Sequence, residues 1–320
     1  MKKILITSRS FSTGLLNLEE KLTENDFKIM HQDSKHNIDD LALILPQVSG
    51  WIAGTGPITQ KHLELAKDLK IIARYGVGCD AIDLISAQAH GITVTNTPGA
   101  NSRAVAEHAL ALLLALLRNI VSGDRGVRSN SHMQAPGREL RSLRILIIGF
   151  GRVGREVAKI FTSFGSYVAA YDPFIDDATL LGLGVDPAGP AAQAEADVVF
   201  LMLPGGETVI DTKWFSKAQK GLILINTARA NLIDEDAVIT ALQSGVLAAY
   251  ATDTLSSETR TGVHGLLSNE FENRIVLTPH TAAQTVEAID AMGLSSYNSI
   301  NDFFMGKSPA HLVVGGTKIE

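Results

Sequence analysis

The sequence predicts an α/β protein made of two domains, each a doubly wound parallel sheet. Three observations carry that expectation. Short β-branched runs alternate with helical patterns through the first hundred residues. A second alternation starts at Arg144. At its head a glycine-rich turn, Gly149-Phe150-Gly151-Arg152-Val153-Gly154, joins a strand to a helix.

Taken in order, Lys3–Thr7, Gly50–Ala53, Ile71–Ala73 and Thr93–Thr95 read as strands, with helices over Leu15–Asn25, Thr59–Ala66 and Asp83–His90. Asn96-Thr97-Pro98-Gly99-Ala100-Asn101 is turn chemistry and marks a domain boundary, after which a long helix starts near Ser102. Its Ala109–Leu117 stretch is apolar nearly all round, which predicts burial, and it falls far short of the roughly 20 residues that span a membrane. Residues 121–141 are polar with little periodicity and read as a surface segment. The second series has strands at 144–148, 167–171, 197–202, 222–226, 248–252 and 275–277, with helices at 152–163 and 234–243. A last helix runs from about Ala282 to Phe304. If both long helices cross between domains, the tail returns to the first domain. The expected division is 1–100 with 294–320, and 101–293.

Composition narrows the function class. The 320 residues are 45% hydrophobic and 19% charged, an ordinary globular balance. A net charge of −6, with no long Lys or Arg run, argues against a nucleic-acid surface. The single cysteine, Cys79, excludes an internal disulfide framework and fits a reducing compartment, so a cytoplasmic location is expected. Cys79 has no histidine beside it in sequence and reads as packing. The opening Met1-Lys2-Lys3 precedes an apolar run of three residues, which suits a strand better than a signal segment. No Cys/His cluster has zinc spacing and HExxH is absent, so no metal is expected.

The turn at 149–154 fits G-x-G-x-x-G with its context in place. Strand 144–148 precedes it, Val153, Val157 and Ile160 mark the helix after it, and Asp172 ends the next strand 18 residues past Gly154. Such glycines let a pyrophosphate approach the backbone at a helix N-terminus. Asp172 can accept from the adenosine ribose and would repel a 2′-phosphate. Pro173 and Phe174 supply no arginine for one, so NAD is the expected cofactor. Arg152 has two readings, a pyrophosphate ligand or a solvated helix residue.

Arg229, Glu258 and His280 each follow a strand of the second series, where open α/β sheets bind ligands. Singly, each has a plainer reading: a surface ion pair, a solvated carboxylate in Ser-Ser-Glu-Thr-Arg, a loop hydrogen bond. Together, beside a nicotinamide, they are what 2-oxo acid reduction requires. The guanidinium grips the carboxylate, the imidazole handles the alcohol proton and the carboxylate tunes the imidazole.

Ala73-Arg74-Tyr75-Gly76-Val77-Gly78-Cys79-Asp80, Asn96-Thr97-Pro98-Gly99, Ala106-Glu107-His108, the glycine turn, Asn226-Thr227-Ala228-Arg229, Asp253 with Glu258, and Pro279-His280 occur in this order. With these motifs the chain resembles the D-isomer-specific 2-hydroxyacid dehydrogenase family, phosphoglycerate dehydrogenase-like, from roughly residue 40 to 305. The resemblance implies a flavodoxin-like substrate-binding domain and an inserted Rossmann NAD-binding domain. It implies that Arg229 binds the substrate carboxylate and that His280, paired with Glu258, is the general acid/base. Val77 and Gly78 would cradle the carboxylate from their N–H groups. Asp253 would sit beside the nicotinamide carboxamide, and Pro204, Thr208, Thr227 and Ala228 would join Gly149, Gly151, Arg152, Val153, Gly154 and Asp172 around the cofactor. Family precedent implies a homodimer acting on a small 2-oxo or 2-hydroxy acid, with neither nucleic acid nor membrane as partner.

Arg74 and Arg103 border the expected cleft, where each could receive a phosphate or serve as a structural ion-pair residue. Glu107 and His108 read as orienting the long helix rather than performing chemistry. Some positions depart from the family pattern: Ala230 follows the arginine where glycine is common, Pro204-Gly205-Gly206-Glu207-Thr208 replaces Pro-Leu-Thr and predicts a looser loop, Ala81 replaces an Asn, and Thr259-Arg260-Thr261-Gly262 replaces Pro-Leu. Two rival functions are a corepressor-like NAD(H)-binding interaction protein and hydride transfer from formate or phosphite. Formate enzymes carry Gln where Glu258 stands, which favours a carbonyl substrate.

Overall fold

The computed structural model describes residues 1–315 apart from 132–133, 257–258, 260 and 263. The chain divides into two compact units, residues 1–101 with the segment from Ala283 onward, and the contiguous Ser102–Ala282.

The first unit runs β1 (Lys2–Ile6), α1 (Leu18–Glu24), β2 (Phe27–His31), α2 (Ile38–Leu41), β3 (Gly50–Ala53), α3 (Gln60–Leu65), β4 (Ile71–Arg74), α4 (Leu84–Ala89) and β5 (Thr93–Thr95). The second unit holds α5 (Ser102–Leu117), α6 (Ile120–Arg128), β6 (Arg144–Ile148), α7 (Arg152–Ser163), β7 (Tyr167–Tyr171), α8 (Asp177–Gly182) and β8 (Asp186–Pro187). It continues with β9 (Val198–Leu201), α9 (Thr212–Phe215), β10 (Leu222–Asn226), α10 (Glu235–Ser244), β11 (Leu247–Thr252) and β12 (Ile275–Leu277). The chain then returns to the first unit through α11 (Val286–Phe304) and β13 (Leu312–Val314).

The first sheet is ordered β13-β5-β4-β3-β1-β2, parallel except for β13, which runs antiparallel beside β5. Its five parallel strands have the flavodoxin-like 2-1-3-4-5 order. The second sheet is ordered β12-β11-β10-β9-β6-β7-β8. Numbered within the unit, that is the 3-2-1-4-5-6 Rossmann order with one further strand.

Central strands buried on both faces are continuous apolar runs, as in β9 (Val-Val-Phe-Leu) and β10 (Leu-Ile-Leu-Ile-Asn), every residue buried. Side-chain alternation then sorts them into two layers. Ile145, Ile147, Val198, Phe200, Ile223 and Ile225 pack with α5 and α7. Leu146, Ile148, Val199, Leu201 and Leu224 pack with α10. The apolar α5 is thus a core helix of the second unit, and Leu113 at its centre is fully buried, worth about 2–3 kcal/mol in apolar area alone. Among the described residues no single helix is long and apolar enough to cross a membrane.

Several boundaries differ from expectation for local reasons. Asn17 accepts from Glu20 N and starts α1 three residues after Leu15. Thr285 accepts from Ala288 N and starts α11 at Val286 rather than near 282. Edge strand β2, with only Phe27 buried, went unread because Phe-Lys-Ile-Met-His has no apolar run. Residues 120–128, expected as irregular surface, form α6, which buries no residue.

Candidate functional site

The glycine turn sits between β6 and α7. Gly149 has φ +93°, and a Cβ there would lie 2.7 Å from the Met202 carbonyl oxygen. At Gly154 a Cβ would lie 2.3 Å from the Gly149 oxygen, so both places admit only glycine. At Gly151 a Cβ would meet nothing within 4 Å, which leaves open space in front of the α7 N-terminus. Asp172, after β7, accepts from Phe150 N at 2.8 Å and Phe174 N at 3.0 Å, holding the turn against the strand end. Each carboxylate oxygen keeps a lone pair for a ribose hydroxyl. Glycine cradle, helix terminus and acid fit a dinucleotide. Arg152 is exposed in the first turn, while it is Arg155 that donates to the Phe150 carbonyl, at 3.3 Å.

At the carboxyl ends of β10–β12 a concavity of about 640 Å³ is lined by Arg229, Asn231, Glu235, Thr254, Ser256, His264 and His280 among others. Two of the three expected catalytic residues therefore share one hollow. Glu258 lies outside the described residues. Asn226 shapes the arginine turn: its Oδ1 accepts from Ala228 N at 2.9 Å and its Nδ2 donates to the Arg229 carbonyl at 2.9 Å. Arg229 Nη1 donates to the Ala228 carbonyl at 2.8 Å. Thr227 Oγ1 lies 3.6 Å from Met202 Sδ and ties the ends of β10 and β9. The loop at 203–208, expected to be loose, is moored: Asn231 Nδ2 donates to the Gly206 carbonyl at 2.7 Å, and Thr208 Oγ1 to the Asn231 carbonyl at 3.1 Å. Pro204 is exposed on this loop.

His280 is exposed with φ +59°, a left-handed backbone unusual for a residue bearing a Cβ. Asp253, 2% exposed, holds the turn around it. Oδ1 accepts from Thr278 Oγ1 at 2.6 Å and Thr281 N at 2.8 Å, and Oδ2 accepts from Ala282 N at 2.9 Å. His108 on α5 reaches the same turn, with Nε2 2.9 Å from Thr278 Oγ1. Sequence reasoning assigned His108 to helix orientation and did not find Thr278 or Thr281, because nothing local joins residues 170 positions apart.

Glu235, also missed, stands at the start of α10, 8% exposed, and accepts from the Ser256 and Thr259 hydroxyls at 2.7 Å each. It thereby ties Ser256 and Thr259 to the start of α10. The only signal was an acid just after the helix-capping Asp234, which is ordinary for a first turn. Arg103 pairs with Glu107 at 2.6 Å and Glu156 at 3.6 Å, which favours its structural reading.

In the first unit, Arg74 ends β4 and folds over the loop that follows. Its Nε donates to the Gly78 carbonyl at 2.8 Å, and Nη1 donates to the Tyr75 carbonyl. Thr97 N bonds the Gly76 carbonyl at 3.0 Å and Asn96 Nδ2 the Val77 carbonyl at 2.8 Å. The loop's carbonyls are thus claimed from within the unit, and among the described hydrogen bonds the N–H groups of Val77 and Gly78 donate to nothing.

Fold and site together define a dinucleotide-binding α/β protein with a cationic residue and an imidazole at the ends of its strands. Comparison with known proteins gives the class its family. Residues 110–282 match the model for D-isomer specific 2-hydroxyacid dehydrogenase, NAD binding domain. D-3-phosphoglycerate dehydrogenase of Mycobacterium tuberculosis is 34% identical over 287 residues, 87% of this chain and 53% of that protein. Hydroxypyruvate reductase of Thermotoga maritima is 34% identical over 268 residues, 82% of this chain and 87% of that one. The NAD+-bound structure of 3-phosphoglycerate dehydrogenase from Entamoeba histolytica superposes with a TM-score of 0.82 at 25% identity, covering 99% of each chain. The chain belongs to the D-isomer specific 2-hydroxyacid dehydrogenase family, and NAD is its cofactor. It spans about half the length of the phosphoglycerate dehydrogenases it matches.

Proposed function

We propose that this chain is an NAD-dependent oxidoreductase that interconverts a 2-oxo acid and a D-2-hydroxy acid. The observation that carries the reading is the placement of Arg229 and His280 on one concavity at the strand ends of an NAD-binding unit. Bound nicotinamide supplies the hydride. Arg229 binds the substrate carboxylate and polarises the carbonyl, and His280 donates the proton that the developing alkoxide needs. Glu258, through its pairing with His280, keeps that proton available near neutral pH. Asp253 serves the carboxamide end of the cofactor, and Asp172 its ribose. Val77 and Gly78 offer N–H groups to the carboxylate, with Arg74 beneath them as a brace. The substrate-binding domain is the discontinuous first unit. A homodimer in the cytoplasm is the working form: α6 buries none of its residues and leaves Ile120 56% and Val127 62% exposed, as a helix awaiting a second copy does.

The test is NADH oxidation against glyoxylate, hydroxypyruvate, pyruvate, branched 2-oxo acids, phosphohydroxypyruvate and phosphonopyruvate. Turnover of at least one to its D-hydroxy product is expected. Tight NADH binding with no turnover of any would overturn the reading in favour of an interaction protein. Arg229→Ala should lower kcat/KM by about 3 kcal/mol of transition-state stabilisation, because a charge-assisted contact is lost.

A further inference from the structure

We propose that His108 is a positioning residue for His280, acting through Thr278 and Asp253. The inference rests on the reading above in taking His280 as the proton donor. It starts from the two sides of that residue. Asp253 grips the turn before His280 through the Thr278 hydroxyl, and after it through the Thr281 and Ala282 amides. A single carboxylate, 2% exposed, therefore spans the imidazole-bearing position. The left-handed backbone of His280 persists because its neighbours are held in this way.

Proton counting then gives the chain of bonds a direction. An ionised carboxylate only accepts, so the 2.6 Å contact uses the one hydroxyl proton of Thr278. Toward His108 Nε2, 2.9 Å away, Thr278 Oγ1 can only accept. His108 must carry its proton on Nε2, and the order is His108 N–H to Thr278 O–H to Asp253. His108 Nε2 also lies 3.6 Å from Asp253 Oδ1, so the same N–H points toward the buried carboxylate. The donor stands on a fixed element, since its α5 neighbours Ala106 and Ala109 are fully buried. Asp253 N is bonded to the Asn226 carbonyl at 3.0 Å, which anchors the other end of the chain to β10. Such a relay sets the direction of the imidazole without touching substrate.

The test compares His108→Leu and His108→Gln in the full chain. Leucine removes the donor, while the glutamine amide can donate from near the same place. In His108→Leu, deuterium uptake by the peptide spanning 278–284 should accelerate about tenfold, and the amides of β6 should keep their rates, because a hydrogen bond feeding a charged group is lost. The kcat for 2-oxo acid reduction should fall about tenfold with KM for NADH held within about twofold. His108→Gln should restore both to within about threefold. Thr278→Val breaks the relay at its middle and should match His108→Leu should the latter fold poorly. Wild-type exchange and kcat in His108→Leu would overturn the proposal, as would a well-folded His108→Gln that restores neither. The exchange measurement needs no substrate. Accelerated uptake in a protein that reduces no 2-oxo acid would support the relay while removing the functional reading.

Discussion

Two turns in this molecule follow parallel strands and carry expected site residues, yet they are built on opposite charges. After β4 the Arg74 guanidinium takes the carbonyls of Tyr75 and Gly78, and the loop is left with amides to offer. After β12 the Asp253 carboxylate takes the amides of Thr281 and Ala282, and the turn is left with the His280 side chain to offer. The sign of the charge beneath a turn decides which peptide groups it keeps. A buttressing cation makes an anion receptor of bare N–H groups. A buttressing anion uses those groups up and presents an imidazole instead.

The comparison can be broken most severely at the acidic turn. Asp253→Ala leaves the donors of Thr278, Thr281 and Ala282 without their acceptor and should cost about 4 kcal/mol of stability, read by urea denaturation, with reductase activity lost at the same time. A loss under about 1 kcal/mol would mean that water replaces the carboxylate freely. Next in size is an effect of pH on the first unit alone. Burial holds His36 at about 4, below its ordinary 6.5, against a partial rise from the Pro57 backbone. The folded form therefore resists protonation. Stability is full above pH 6.5 and falls as the pH drops toward 4, by up to roughly 3 kcal/mol. The chain has two tryptophans, Trp51 in the first unit and Trp214 in the second, so Trp214→Phe leaves Trp51 fluorescence to report the first unit. Urea midpoints followed in this way should drop on acidification, and should drop less once His36→Gln is added. The smallest effect is expected at Arg74→Lys, where an ammonium cannot fork between two carbonyls. Stability should fall by about 1 kcal/mol and KM for the 2-oxo acid should rise severalfold, with kcat little changed. A raised kcat/KM would mean that Arg74 restrains the loop rather than shaping it.

The two turns were not equally legible in the sequence. Apolar runs declared nearly every central strand, and the glycine spacing declared the dinucleotide turn, because both are local patterns. Arg229 and His280 stood out because strand ends are where ligands bind in such sheets, and both line one concavity. What stayed hidden was tertiary: His108 meets Thr278 from 170 residues away, and Glu235 reaches Ser256 and Thr259 from an ordinary helix start. Arg74 was seen but its work was not, since its described bonds are to backbone carbonyls, which have no residue type to read. Edge strand β2 and the exposed helix α6 escaped for the converse reason, having too little apolar patterning to stand out.

The return of the chain through α11 and β13 has a consequence for the order of events at the ribosome. Strands β3 and β4 are covered on one face by α11, and β5 is edged by β13, both of which lie after Ala283. The 181 residues of Ser102–Ala282 must be made first. At a synthesis rate of roughly 5–20 residues per second, the first sheet waits some 10–35 seconds for its lid. Of the two units, the one whose strands are made first is therefore the later to close, and the face of β3 and β4 that α11 covers stays open in the meantime.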